Sequence, residues 1–297
     1  EYKGNILKYY PSISIILNME EEHLDYFEDI DHIVDTFAQY GKNIQEDGCL
    51  IINADDPNSE KVIESTKANI ITFGINNNSD YSAENISFTP EGYPKFMLNL
   101  KGESLYPVKL NVMGIHNVYN ALASISATHI LGVPIDTILR SIEEYRGTHR
   151  RLEMKGIING IKIVDDYAHH PTEIKASLKA LKNSTSNRIW CIFQPHTFTR
   201  TKLLLNSFAK SFSEADKVII PDIYAAREKD NGVIHSTDLV EALLKNGIDA
   251  VYISSFENIE DYILKNAKKG DTVVTMGAGN VYTIGETLLA DSEKEAI

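Results

Sequence analysis

Four short segments of this chain concentrate the side chains that proton transfer and anion binding require. They are Asp165-Asp166-Tyr167-Ala168-His169-His170-Pro171, Gln194-Pro195-His196-Thr197-Phe198-Thr199-Arg200, Pro221-Asp222-Ile223-Tyr224-Ala225-Ala226-Arg227-Glu228 and Gly277-Ala278-Gly279-Asn280. Carboxylates and imidazoles pass protons near neutral pH, a guanidinium holds a carboxylate or phosphate, and a Gly-x-Gly turn lets backbone N–H groups approach a phosphate. Each segment also has a plain structural reading. Asp165 and Asp166 stand before a helix announced by Pro171, Ile174, Leu178 and Leu181, where aspartates commonly cap or face solvent. His196 and Arg200 fit an exposed loop, and Gly277-x-Gly279 recurs in ordinary turns. What joins the four is position: each follows an apolar run of strand length, and open parallel sheets bind ligands outside the carboxyl ends of their strands.

Three further groups lie earlier in the chain. Asn18-Met19-Glu20-Glu21-Glu22-His23-Leu24-Asp25 places His23 among carboxylates, where a hard cation or phosphate-bound magnesium would be held; a solvated acidic turn is the simpler account. In Gly114-Ile115-His116-Asn117-Val118-Tyr119-Asn120, His116 and Asn120 share a helical face with Asn117 beside them. Amide side chains carry a donor and an acceptor together, as reading an adenine edge requires, although Asn117 also suits a helix cap. His149-Arg150-Arg151 offers two adjacent guanidinium groups to a transferring phosphoryl group, or to an interdomain salt bridge. The motif Gly-x4-Gly-Lys-Ser/Thr of a phosphate-cradling loop is absent, which by itself argues against an ATPase.

The elements that must position these groups follow from periodicity. Short apolar runs at Ile13–Leu17, Cys49–Asn53 and Ile70–Phe73 predict strands, with a helix around Ile30–Ile44. Tyr81–Leu100, punctuated by Pro90-Glu91-Gly92, and Tyr106–Val112 predict more strands. Helices follow from Gly114 to about Gly132 and over Ile135–Tyr145. Ile161–Val164, Arg188–Phe193, Lys217–Ile220, Ala250–Ile253 and Thr272–Met276 predict five strands alternating with helices, hence a mostly parallel, doubly wound sheet. The fold class is α/β, and the boundary falls near Arg146-Gly147-Thr148, giving domains 1–147 and 148–297.

The chain has 297 residues, of which 43% are hydrophobic and 24% charged, as in an ordinary folded protein of about two domains. Its net charge of −13 disfavours nucleic acid and anionic membranes as partners. The two cysteines, Cys49 and Cys191, support neither a disulfide framework nor a zinc site, and a reducing cytoplasm fits best. No apolar run approaches the ~20 residues of a membrane span. The abrupt start at Glu1, soon followed by a strand, suggests a piece of a longer polypeptide.

Together, Gly114-Ile115-His116-Asn117-Val118-Tyr119-Asn120-Ala121-Leu122-Ala123, Asp165 to Glu173, Gln194 to Thr201 and Asp222-Ile223-Tyr224-Ala225-Ala226 resemble the Mur ligases, the ATP-dependent amide-bond ligases of peptidoglycan synthesis. The Asp165–Glu173 segment is similar to the branch that joins L-alanine to UDP-N-acetylmuramate. The resemblance covers nearly the whole chain, from partway through the family's central ATPase-type α/β domain to the end of its Rossmann-like C-terminal domain. It implies that the missing phosphate loop and UDP-sugar domain lie upstream, and that the isolated chain is inactive or nearly so. It implies ATP and magnesium as cofactors and an acyl-phosphate intermediate attacked by the amine of L-alanine. By resemblance, His23 would be a magnesium ligand with Glu1 a second; His116, Asn117 and Asn120 would read the adenine. Arg150 or Arg151 would approach the phosphates, Asp166 would meet the nucleotide, and Tyr167, His169, His196 and Arg200 would bind or orient L-alanine and the acyl phosphate. The chain departs from the family pattern in having Thr197 where some members carry arginine, and Ala168 and Arg227 where glycine is usual.

Two other classes remain open at this point. Asp165, Asp166, His169 and His170 are residue types that hold two metals in phosphoesterases. A non-catalytic nucleotide-binding module is the third reading, favoured by the missing phosphate loop.

Overall fold

The computed structural model describes residues 3–24, 26–102, 104–185 and 187–295. They form two compact units, one containing the residues up to Thr89 and Tyr93–Arg146, the other Gly147 onward.

The first unit runs β1 (Ile13–Ile16), α1 (Ile30–Gly41), β2 (Cys49–Asn53), α2 (Ser59–Ser65), β3 (Asn69–Gly74), β4 (Tyr81–Phe88), β5 (Pro94–Leu100), β6 (Ser104–Lys109), α3 (His116–Ile130) and α4 (Ile135–Glu144). Its six strands lie in sequence order, parallel from β1 to β4 and antiparallel from β4 to β6. The Tyr81–Leu100 stretch is thus a hairpin turning at 89–93, as the Pro90-Glu91-Gly92 chemistry requires. The sheet buries apolar side chains on both faces. Leu50, Ile52 and Val62 pack on the α1 and α2 side, and Ile51, Phe73, Leu98, Leu122 and Ile125 on the α3 side.

The second unit runs β7 (Glu153–Ile158), β8 (Ile161–Asp166), α5 (Pro171–Lys182), β9 (Ile189–Phe193), α6 (Phe198–Leu203), α7 (Leu205–Phe208), β10 (Lys217–Ile220), α8 (Ser236–Lys245), β11 (Ala250–Tyr252), α9 (Phe256–Asn266), β12 (Thr272–Met276) and α10 (Tyr282–Glu295). Its sheet order is β11-β10-β9-β12-β8-β7, parallel throughout except for β7 at the edge. Strands β9 and β12 are wholly buried, which is why they read as continuous apolar runs. Sequence periodicity did not reveal β7, because a bulge between Met154 and Gly156 interrupts its alternation. Among the described residues no helix is long and apolar enough to cross a membrane.

Candidate active site

The carboxyl ends of β8, β9, β10 and β12 bring their four loops together. His196 forms an isolated bridge with Tyr224, their rings stacked at 14° with centroids 5.6 Å apart. His169 sits edge-on to His196 at 6.1 Å and to Tyr167 at 5.5 Å. Arg200, on α6 four residues after His196, donates from Nη1 to His196 Nδ1 and to the His196 carbonyl, both at 3.2 Å. Glu228 fixes this loop by accepting from Thr197 Oγ1 at 2.7 Å and Thr199 N–H at 2.9 Å. Burial, Arg200 and His169 together push the His196 imidazole below its ordinary range, which favours its neutral form.

Arg150 and Arg151 point to different fates. Arg150 Nε donates to Asp165 Oδ2 at 3.0 Å and Nη2 to the Gly277 carbonyl at 2.7 Å, with the guanidinium 4.9 Å from the Tyr167 ring centroid and 4.6 Å from that of Tyr282. Arg150 is thus an internal tie of the second unit. Arg151 is 54% exposed, rests 5.7 Å from the other ring partner, Tyr167, and lies 3.7 Å from Glu173 Oε1.

Asp166, expected to meet the nucleotide, is engaged within the second unit. Its carboxylate is 3% exposed and turned inward, accepting from Ala168 N–H at 2.7 Å, Leu152 N–H at 2.9 Å and Ser177 Oγ at 3.2 Å. It braces the strand end. Burial outweighs these donors and Arg151, and raises its pKa from 3.8 to about 6. A carboxyl that ionises less readily in the fold stabilises it fully below pH 3.8, and that contribution is lost as pH rises through 6. The shift corresponds to about 3 kcal/mol. Relative to Asp166→Asn, the wild-type chain is expected to lose that much stability between pH 4 and 7, read from Trp190 fluorescence in urea. Parallel stability curves for the two proteins would refute the assignment. Trp190 is the single tryptophan and lies buried in β9.

Gly277 and Gly279 have a packing reason. A Cβ on Gly277, whose φ is +145°, would stand 2.7 Å from the Gln194 carbonyl; one on Gly279 would stand 2.3 Å from Gln194 Oε1 and 2.8 Å from the Tyr224 ring. The pair therefore lets the β12 loop close on β9, where Gln194 Nε2 donates to Asn280 Oδ1 at 3.2 Å.

In the first unit, His116, Asn117 and Asn120 do form one polar string. Asn117 Nδ2 lies 3.2 Å from His116 Nε2 and donates to the Met113 carbonyl at 2.7 Å, and Asn120 Nδ2 donates to Asn117 Oδ1 at 3.0 Å. Ile115 occupies the N-cap of α3 without a side-chain cap, so Asn117 is not the capping residue. The start of α3 is held from a residue that the sequence reading passed over. Asp55, after β2, accepts from Tyr119 Oη at 2.8 Å and from the N–H groups of Ile75, Asn76 and Asn77. Burial raises the Asp55 pKa, but these donors outweigh it and hold the carboxyl below its ordinary value.

His23 lies on an exposed turn with φ +55°, and Glu1 lies outside the described residues. Among the described residues no three His, Cys, Asp or Glu side chains are grouped to hold a metal ion. The same finding removes the basis for a two-metal phosphoesterase, since Asp165 and Asp166 spend their oxygens on Arg150, Thr275, backbone N–H groups and Ser177.

Family profiles match both units: the Mur ligase middle domain over residues 3–128, and the Mur ligase glutamate ligase domain over 150–279. The chain belongs to the Mur ligase family. Within that family it is 49% identical over 298 residues to the UDP-N-acetylmuramate--L-alanine ligase of Acetivibrio thermocellus, covering 100% of this chain and 64% of that protein. The enzyme of the same description from Caldanaerobacter subterraneus is 47% identical, with 99% and 64% covered. This Mur ligase chain thus spans a little under two thirds of the curated relatives it matches. Among solved structures it superposes on the UDP-N-acetylmuramate-alanine ligase of Thermotoga maritima with a TM-score of 0.78 at 26% identity, covering 97% of this chain and 61% of that one. The MurF ligase of Thermotoga maritima in complex with ADP gives 0.77 at 20% identity, covering 98% and 65%, a likeness of fold alone.

Proposed function

We propose that this chain carries the adenine-reading and amino-acid-binding parts of an ATP-dependent ligase that joins L-alanine to UDP-N-acetylmuramate through an acyl phosphate. The observation that carries the reading is the meeting of Tyr167, His169, His196, Arg200 and Tyr224 at one sheet edge, in a chain 49% identical to a ligase of that description. Two imidazoles and a guanidinium suit an α-amino acid, whose carboxylate needs fixed donors and whose ammonium needs a proton acceptor.

In this reading His116, Asn117 and Asn120 read the adenine, and Arg151, the more exposed of the two arginines, approaches the transferring phosphoryl group. Magnesium would accompany the nucleotide, with His23 toward it. ATP and the nucleotide sugar place the enzyme in the cytoplasm. The sequence has no Gly-x4-Gly-Lys cradle, so the 297-residue chain alone is expected to be inactive.

The test is ADP release by the full-length gene product and by this chain, with UDP-N-acetylmuramate and with or without L-alanine. Release that requires both substrates supports the ligase. No release from the full-length protein, with ATP still bound, would favour a binding module.

A further inference from the structure

Two histidines face each other at the carboxyl edge of the second sheet, and their neighbours impose opposite proton arrangements on them. His169 Nδ1 lies 3.0 Å from the Tyr167 carbonyl oxygen, which can only accept, and 3.4 Å from Glu173 Oε2. Its proton is therefore on Nδ1, and the neutral ring presents the Nε2 lone pair, which meets no hydrogen-bond partner among the described residues. His196 Nδ1 instead lies 3.2 Å from Arg200 Nη1, which can only donate. The His196 proton is therefore on Nε2, and that ring is a donor.

Glu173 is itself firmly placed. It stands at the third position of α5, where Oε2 accepts from the N–H groups of His169 at 2.9 Å and His170 at 3.1 Å in a capping box. The charged and titratable groups around His169 are Glu173, His196 and Tyr167, with Arg151 beyond Glu173 at 3.7 Å.

Resting on the ligase reading above, we propose that His169 is the base that takes the ammonium proton of the incoming amino acid, that Glu173 is the positioning residue that fixes its tautomer, and that His196 acts only as a neutral donor to a substrate oxygen. One N–H proton passes to His169 Nε2, which becomes an imidazolium beside the Glu173 carboxylate. The freed amine lone pair forms the C–N bond at the acyl carbon. The C–O bond to the phosphate then breaks with its electron pair on phosphate, which leaves with the second N–H proton. Protonating His196 instead would require Nδ1 to face Arg200, and the downward push on its pKa by burial, Arg200 and His169 agrees with a ring that stays neutral.

The tautomers are measurable in this chain without activity. Nitrogen-15 NMR of labelled imidazoles should show His169 protonated on Nδ1 and His196 on Nε2 at pH 8; the reverse pattern at either residue overturns the proposal. In the full-length gene product, His169→Gln should slow L-alanine-dependent turnover by ~100-fold or more. It should slow hydroxamate formation far less when hydroxylamine, already unprotonated at neutral pH, replaces L-alanine. Equal losses with both nucleophiles overturn the base assignment. Glu173→Gln should lower L-alanine-dependent kcat while leaving hydroxylamine-dependent hydroxamate formation near wild type; equal changes with both nucleophiles mean that Glu173 only caps its helix. A wild-type enzyme that releases no ADP with both substrates refutes the ligase reading and the base with it, while the NMR result stands separately.

Discussion

Replacing Arg150 by methionine is expected to destabilise the second unit by about 3–5 kcal/mol, the cost of removing one partner from a buried ion pair. Asp165 is 1% exposed, and besides Arg150 only Thr275 Oγ1, at 2.7 Å, bonds its carboxylate side chain among the described residues. Burial already raises its pKa, with Thr275 and Arg150 opposing, and loss of the guanidinium would raise it further. The variant escapes part of the penalty by protonating Asp165, so the loss should grow as pH rises. Urea unfolding followed by Trp190 fluorescence at pH 5 and pH 8 measures both features. Adding Asp165→Asn to the variant should recover part of the stability, because no buried charge is then left unpaired. A single variant within about 1 kcal/mol of wild type at pH 8 would show that the pair is not what ties β12 to β8.

The strands of the second sheet were legible because burial on both faces makes them uninterrupted apolar runs, and Lys217–Ile220 and Thr272–Met276 match the observed ends. The convergence of their loops followed from topology, since parallel strands deliver every carboxyl end to the same edge. What the sequence could not resolve was the direction of individual side chains at those ends. Asp165 and Asp166 look equivalent as letters, yet one pairs with Arg150 and the other folds back onto Leu152, Ala168 and Ser177. Arg150 and Arg151 are neighbours with opposite duties because Arg150 has φ +59°, a left-handed turn that no pattern around it announces. The glycines after β12 suggested a phosphate turn; their absent side chains instead admit Gln194 and Tyr224. Glu173 entered the sequence reading only as the end of the Asp165–Glu173 motif; its capping box and its contact with His169 are set by the turn before α5.

Arg151 is where the largest loss of activity is expected. Its neighbour is consumed by Asp165 and Gly277, whereas Arg151 is half exposed, steadied by the Tyr167 ring and by Glu173 at 3.7 Å. In the proposed ligase its fork of donors would meet the charge that develops on a phosphoryl group in transfer, where such an arginine is worth roughly 10³-fold or more. In the full-length gene product, Arg151→Ala should lower both ADP release and hydroxylamine-trapped acyl phosphate by that factor. Folding should change little, because an exposed pair at this distance contributes on the order of 0–1 kcal/mol. Arg151→Lys should fall between the two, retaining the charge without the planar fork. Loss of alanine-dependent turnover with acyl-phosphate formation intact would instead place Arg151 in the second half of the reaction, beside the amine and not the phosphate. Full activity in Arg151→Ala would remove the residue from the site altogether.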